Sequence, residues 1–282
     1  MYNRVTLIQV KYYLKLESGE YNYMDDYKEF EENILKLTGI DLNSYKEKQM
    51  KRRLDFLIDR MGQKTYANYF KVLRENKEEL ENFKSYITIN VSEFFRNYPQ
   101  WEILQKKIIP YLIEQKKGQA INVWSAACST GDEPYSVTIL MKKHFPNIKF
   151  NVLATDIDED ILNRAKKGEY YFKSIEKIPP TYINEFFTKM DKDIYIVNED
   201  VKKHVTFKKH DLIAEAYPMG MDLIICRNVV IYFTEEVKNH MYEKFAKCMD
   251  KDRILFIGNT EQIISSNKFG YEYIENFFYK KI

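Results

Sequence analysis

Cysteine is scarce in this sequence. Cys128, Cys226 and Cys248 are the only three, odd in number and far apart. They cannot build a disulfide framework or a four-ligand zinc site, and they suit a reducing cytoplasm. An excess of either charge is also missing: Lys+Arg is 44 and Asp+Glu is 42, a net of +2. That balance argues against a nucleic-acid partner and against an acidic solvating tail. No apolar run approaches the roughly 18 residues that span a bilayer, so no direct membrane insertion is expected. Val5 to Val10 is apolar, but Lys11 breaks it and no small-residue cleavage site follows, so it does not read as a secretory signal. The four histidines, His144, His204, His210 and His240, read as surface or helix-end residues, and only His210 stands beside a motif. No metal site is expected, and the dinucleotide fingerprint G-x-G-x-x-G is absent.

What is present is ample core material. Hydrophobic residues make up 45% and charged residues 30% of 282, which excludes wholesale disorder. The length suggests about two domains. Residues 1–23 read as a poorly defined leader, with Met24 as an alternative native start. From Asp25 to about Lys107 the spacing is helical. Phe30, Ile34, Leu35 and Leu37 form one stripe, closed by Thr38-Gly39. Leu54, Leu57, Ile58 and Met61 form a second, closed by Gly62. Tyr66, Tyr69, Phe70 and Leu73 form a third, and Leu80, Phe83, Ile87 and Val91 a fourth. A small helical bundle over 24–97 follows.

After Gly118 the grammar changes. Strand-like runs at Ala120 to Ala126, Phe150 to Thr155, Val205 to Lys209, Met221 to Cys226 and Arg253 to Gly258 alternate with helical ones. The helical runs are Pro134 to His144, Asp158 to Lys167 and Thr234 to Met249. This predicts an α/β fold over 98–282, a mostly parallel sheet covered on both faces. Residues 170–203, with Pro179-Pro180, a helix-like Thr181 to Thr188 and a β-prone Ile194 to Val197, break the rhythm and read as a small inserted β-subdomain.

Four stretches can carry chemistry. Val123 to Ser136 (VWSAACSTGDEPYS) is a buried strand, a loop of small residues and a helix start. Such a loop lets backbone approach a ligand at the carboxyl edge of a sheet. Its acids, Asp132 and Glu133, suit a helix N-terminus but repel a pyrophosphate. A phosphate-free nucleoside with a positive sulfonium and amine fits better, while an ordinary well-capped turn remains the alternative. Asp156, at the end of the next strand, is placed for ribose hydroxyls, and Asp158 is nearer the helix cap. Met221 to Phe233 (MDLIICRNVVIYF) again ends a buried strand in polar groups. Tyr232 reads as a phenol facing the site and Phe233 as core. Thr88 to Arg96 (TINVSEFFR) mixes an amide, a hydroxyl and a guanidinium with two aromatics at the junction of the two domains. Read alone it is a surface turn, with Phe94 and Phe95 packing.

The ordered set resembles the CheR family of chemotaxis methyltransferases. The family patterns are N-x-T-x-F-F-R, A-x-S-T-G-E-E-P-Y-S, D-I-D and F-C-R-N-V-x-I-Y-F, and the likeness runs from about Asp25 to the C-terminus. It implies a Rossmann-like methyltransferase sheet preceded by a helical domain. It also implies methyl transfer from S-adenosylmethionine to glutamate side chains of chemoreceptors, giving methyl esters and S-adenosylhomocysteine. By position, Asn90, Ser92, Arg96, Glu133, Asp156, Asp211, Leu212, Asn228 and Val229 resemble the family's cofactor contacts. Arg96 and Tyr232 would lie near the transferable methyl. Ser92 stands for the usual Thr, Asp132 for a Glu, Asp211 for an Asn of some members, and Gly258-Asn259-Thr260-Glu261 for G-x-S-E. Each keeps the needed functional group.

Lys46 to Lys64 holds seven basic residues and three acids, a local +4. Arg53 and Arg60 share a helix face there. By composition this is a solvated face; by resemblance it meets the acidic methylation region of receptor cytoplasmic domains. The short Met190 to Val201 lacks the glycine-bearing loop of members that dock a receptor's C-terminal pentapeptide, which points to a tether-independent enzyme. The chain ends soon after Phe277-Phe278, with no tetratricopeptide extension expected. A cytoplasmic monomer is the expectation. A non-catalytic cofactor-binding signalling module and a methyltransferase with another acceptor stand as the alternatives.

Overall fold

The computed structural model describes residues 23–282. The expected leader lies outside the described residues except for Tyr23, where the first helix begins. Two compact units are present, one ending at Phe83 and the other running from Lys84 to Ile282. The first is helical: α1 (Tyr23–Thr38), α2 (Glu47–Arg60), α3 (Tyr66–Glu75) and the start of α4 (Lys77–Ile87). Tyr27, Phe30 and Ile34 of α1 are buried, as are Met50, Leu54, Leu57 and Ile58 of α2 and Tyr66, Tyr69 and Leu73 of α3. The Phe30 ring meets Tyr66 at 5.1 Å, and Tyr69 meets Phe83 at 6.1 Å. Thr65 caps α3 by accepting from the Asn68 N–H.

Two expected stripes are narrower than the spacing suggested. Leu35 and Leu37 are exposed. Leu35 lies about 100° round the helix from Ile34, and Ile40 and Leu42, beyond the helix end, fill the core instead. Val91 is 69% exposed. Its helix stops at Ile87 and Ile89 turns to a φ of 55°, so helical spacing no longer applies.

The second unit opens with α5 (Tyr98–Ile103), a π turn over Leu104–Ile108 and α6 (Ile109–Lys116). Then come β1 (Ile121–Ala126), α7 (Asp132–His144), β2 (Phe150–Asp156), α8 (Glu159–Lys167), β3 (Glu169–Tyr171), α9 (Phe172–Ile175), α10 (Pro180–Phe186), β4 (Phe187–Lys189), β5 (Ile194–Val197), α11 (Glu199–Lys202) and β6 (Val205–Lys209). The chain closes with β7 (Leu223–Cys226), α12 (Glu235–Cys248), β8 (Ile254–Ile257), β9 (Tyr271–Glu275) and β10 (Phe278–Lys281). The main sheet has the order β6-β2-β1-β7-β8-β10-β9. Strands β6, β2, β1, β7 and β8 are parallel, and β10 runs antiparallel to both β8 and β9. Every residue of β7 and β8 is buried, as two covered faces require. The inserted region forms a separate antiparallel sheet, β3-β5-β4.

Strand order reverses between β1 and β7. Their carboxyl ends open the crevice where ligands of such sheets bind. The opposite edge is closed structurally: Asp222 pairs with Lys116 and Arg253 and accepts the Asn122 N–H. Among the described residues no helix is long and apolar enough to cross a membrane.

Candidate active site

The loop leaving β1 is bent by three left-handed residues, Ala127 (φ 63°), Ser129 (φ 49°) and Gly131 (φ 91°). A Cβ at Gly131 would lie 3.0 Å from Ala165 Cβ and 3.1 Å from the Tyr170 hydroxyl, so glycine is required for conformation and for space. The loop is pinned to the end of β2. Cys128 N–H donates to Thr155 O at 2.8 Å, and Ser129 N–H donates to Asp156 Oδ2 at 2.8 Å. The Ser129 hydroxyl is buried with no hydrogen-bond partner among the described residues.

The acids at this edge separate into roles. Asp156 is 6% exposed, and burial pushes its carboxyl up to about 6 against the opposing pull of the Asp158 and Ser129 N–H groups. Each oxygen takes one of these donors and has capacity for another. Asp158 caps α8 through the Asp160 and Ile161 N–H groups, as expected. Its other oxygen accepts from Ser85 Oγ at 2.9 Å and from Asn90 Nδ2 at 2.8 Å. Asn90 is thereby tied to the β2 end. Burial also raises Glu133, up to about 7, while Arg227 and the Ser125 hydroxyl pull it down. Ser125 Oγ donates to Glu133 at 2.7 Å. Asp132 differs from its neighbour: it is buried against the Thr130 hydroxyl and Ser92, and desolvation raises its carboxyl. It braces the loop, and Ser92 reaches the edge through it.

The remaining walls come from the ends of β6, β7 and β8. Asp211 Oδ1 accepts from Ile213 and Ala214 N–H, closing a tight turn that contains the buried Leu212. His210 is buried, against the surface reading of the sequence, because it packs on Trp124 at 5.6 Å and donates from Nε2 to Ala216 O at 3.0 Å. His204 is half-buried and stacks on Phe150 at 4.5 Å, while His144, exposed at the end of α7 as the sequence reading has it, bonds the Tyr182 hydroxyl. Asn228 is left-handed (φ 60°), and its N–H and that of Val229 donate to Glu261 at 2.7 Å each. These two positions therefore offer side chain and carbonyl to the crevice rather than N–H groups. Tyr232 ends a short 3₁₀ turn and is half-buried, while Phe233 is core. Arg96 is half-buried on the segment before α5. Arg53 and Arg60 belong to the helical unit, on α2, half-buried and exposed respectively.

Three residues that hold this edge together are absent from the site residues named from the sequence, although Arg227 stands in the Arg-Asn pair that marks the third stretch and Glu261 in the Gly258–Glu261 motif. Arg227 is a buried cation at the end of β7. Glu261 is a buried carboxylate accepting three backbone N–H groups, from Asn228, Val229 and Gly258. Ser125 is the polar residue inside β1. A charge directly after an apolar strand was the available signal for Arg227. Among the described residues, no group of three or more His, Cys, Asp or Glu is placed to hold a metal ion.

Known proteins carry the same pattern. Residues 90–276 match the family model described as CheR methyltransferase, SAM binding domain, and residues 25–88 match CheR methyltransferase, all-alpha domain. A chemotaxis protein methyltransferase of Listeria innocua is 41% identical over 256 residues, which is 91% of this chain and 97% of that protein. One from Borreliella burgdorferi is 34% identical over 254 residues, 86% and 89% of the two chains. One from Escherichia coli is 27% identical over 237 residues, 81% of each. With an acid-lined crevice at the reversal of strand order and both family models matched in sequence, this chain belongs to the CheR methyltransferase family.

Proposed function

We propose that this chain transfers a methyl group from S-adenosylmethionine to glutamate side chains of chemoreceptors, giving glutamate methyl esters that serve chemotactic adaptation. The observation that carries the reading is the donor set at the β1 and β2 ends. Buried carboxylates and a loop of small residues meet there, which suits a cationic nucleoside and repels a pyrophosphate. Asp156 would hold the ribose hydroxyls, and Glu133 the amino-acid part. Asn90, Ser92, Arg96, Asp211, Leu212, Asn228 and Val229 would complete the cofactor walls, the last four at its adenine and methionine ends. Bound there, S-adenosylmethionine supplies an electrophilic sulfonium methyl.

The acceptor needs no general base. A glutamate has an unperturbed pKa of about 4.3 and is ionised at neutral pH. The chain's task is then placement: it must align the carboxylate and exclude competing geometries. Arg96 orients the carboxylate by a charge-assisted contact, and Tyr232 lines the same spot. The basic face of α2, with Arg53 and Arg60, attracts the acidic methylation region of the receptor. The β4–β5 connection, residues 190–193, contains no glycine, which supports methylation without a receptor pentapeptide tether.

Arg96→Ala tests the assignment. It is expected to lower receptor methylation by at least about a hundredfold with little change in thermal midpoint. Unchanged turnover removes Arg96 from the reaction.

A further inference from the structure

We infer that Arg227 is a positioning residue, whose buried guanidinium clamps the bent backbone around Arg96 and so sets the direction of the Arg96 side chain. The inference rests on the role given above to Arg96. Arg96 lies between two left-handed, non-glycine residues, Phe95 (φ 49°) and Asn97 (φ 60°). Such conformations persist only where the surroundings over-determine them. Here the Arg96 carbonyl accepts from Arg227 Nη2 at 2.7 Å and from the Trp101 indole at 3.0 Å. Phe95 N–H donates to the buried Ser136 hydroxyl at 2.9 Å. Arg227 Nη2 also donates to Gln100 Oε1 at 2.7 Å and reaches Asn97 Oδ1 at 3.4 Å. Its guanidinium stacks over Phe256 at 4.7 Å and Trp101 at 5.6 Å.

The simpler account makes Arg227 the counter-charge of Glu133. Distances decide between the two. Glu133 stands 3.7 Å from Arg227 Nη1, whereas the contacts to Arg96 and Gln100 are 2.7 Å. The close hydrogen bonds serve the segment before α5. Among the described residues the Arg96 guanidinium makes one hydrogen bond, a long one from Nη1 to Val91 O at 3.4 Å, so its aim depends chiefly on its backbone. The buried Gln100 extends the clamp to Asn259, past the end of β8. The ends of β7 and β8 and the Arg96 segment are thus tied together through one planar cation, a geometry that lysine cannot reproduce.

A double-mutant cycle with an exchange measurement tests this. Arg227→Lys is made in the natural chain and in Arg96→Ala, and receptor methyl esters, S-adenosylmethionine affinity and amide hydrogen exchange over residues 89–98 are measured. Three results are expected: a fall in kcat of about tenfold or more in the natural chain and less than about twofold in Arg96→Ala, affinity within about threefold, and faster exchange of the segment in both backgrounds. Multiplying losses, or unchanged exchange, overturns the inference. A natural chain that makes no ester refutes the reaction instead, and exchange alone then decides on the clamp. If Arg227→Lys does not fold, Gln100→Leu removes the partner acceptor and takes its place in the same cycle.

Discussion

Burial works on the acids proposed to hold the cofactor before any ligand arrives. Glu133 is held up to about 7 and Asp156 up to about 6, in each case chiefly by desolvation. A cation beside Glu133 favours the ionised form and lowers its pKa again. Binding therefore releases protons, and affinity for S-adenosylmethionine rises as pH climbs from about 5 to about 8. Titration calorimetry across that range, in two buffers of different ionisation heat, checks both the slope and the proton release. The linkage has the opposite sign for the empty protein. A carboxyl raised on folding stabilises the fold at pH below its unfolded value, and that contribution is lost as pH rises through about 6 and about 7. Asp156→Ala removes the proposed ribose acceptor, and we expect S-adenosylmethionine affinity to drop at least about tenfold. Calorimetry showing normal affinity contradicts that assignment.

At the scale of elements, the site is a set of strand ends joined by tight turns. Glu261 binds the ends of β7 and β8 by accepting N–H groups from Asn228, Val229 and Gly258. A Cβ at Gly258 would lie 2.6 Å from Glu261 Oε2 and 2.8 Å from the Asn228 nitrogen. Gly258→Ala is expected to cost about 1–3 kcal/mol by overpacking and to weaken cofactor binding by moving the Asn228 turn. Urea unfolding together with calorimetry reads both effects.

The elements also show what the sequence could convey. Strands β1, β2, β7 and β8 were legible because each is a short, mostly apolar run, and a strand covered on both faces leaves that imprint; β6, the mostly exposed edge strand, was legible only as a short β-prone segment. Strands β9 and β10 were not. Tyr271–Glu275 and Phe278–Lys281 mix aromatics with charges, and their pairing depends on a partner strand rather than on a local run. The inserted sheet was legible only at Ile194–Val197, since three-residue strands carry too little pattern. Asp156 and Asp158 were separable in advance because a cap position has its own spacing. The different fates of Asp132 and Glu133 were not, because they are decided by Ser92, Ser125 and Arg227, distant in sequence.

At the scale of the whole molecule, charge is balanced overall and uneven locally. The net is +2, while Lys46 to Lys64 alone carries +4. Phe56, 61% exposed, stands on the same helix as Arg53 and Arg60. Attraction of this kind speeds encounter and is screened within about 8 Å at physiological salt. Arg60 is exposed, so Arg60→Glu alters the field with little effect on packing. We expect it, and Arg53→Glu, to lower kcat/KM on receptor by about tenfold at low salt and by less at high salt, with kcat less affected. Equal rates at low salt would remove α2 from substrate recognition.

The central claim is the chemistry of the bond formed. The purified chain would be incubated with methyl-tritiated S-adenosylmethionine and receptor cytoplasmic fragments, and alkali-labile volatile methanol collected. The account predicts radioactive methanol that requires both the receptor fragment and Asp156. Tight cofactor binding without alkali-labile label on any receptor fragment would contradict it, and would turn attention to another acceptor or to a signalling role without transfer.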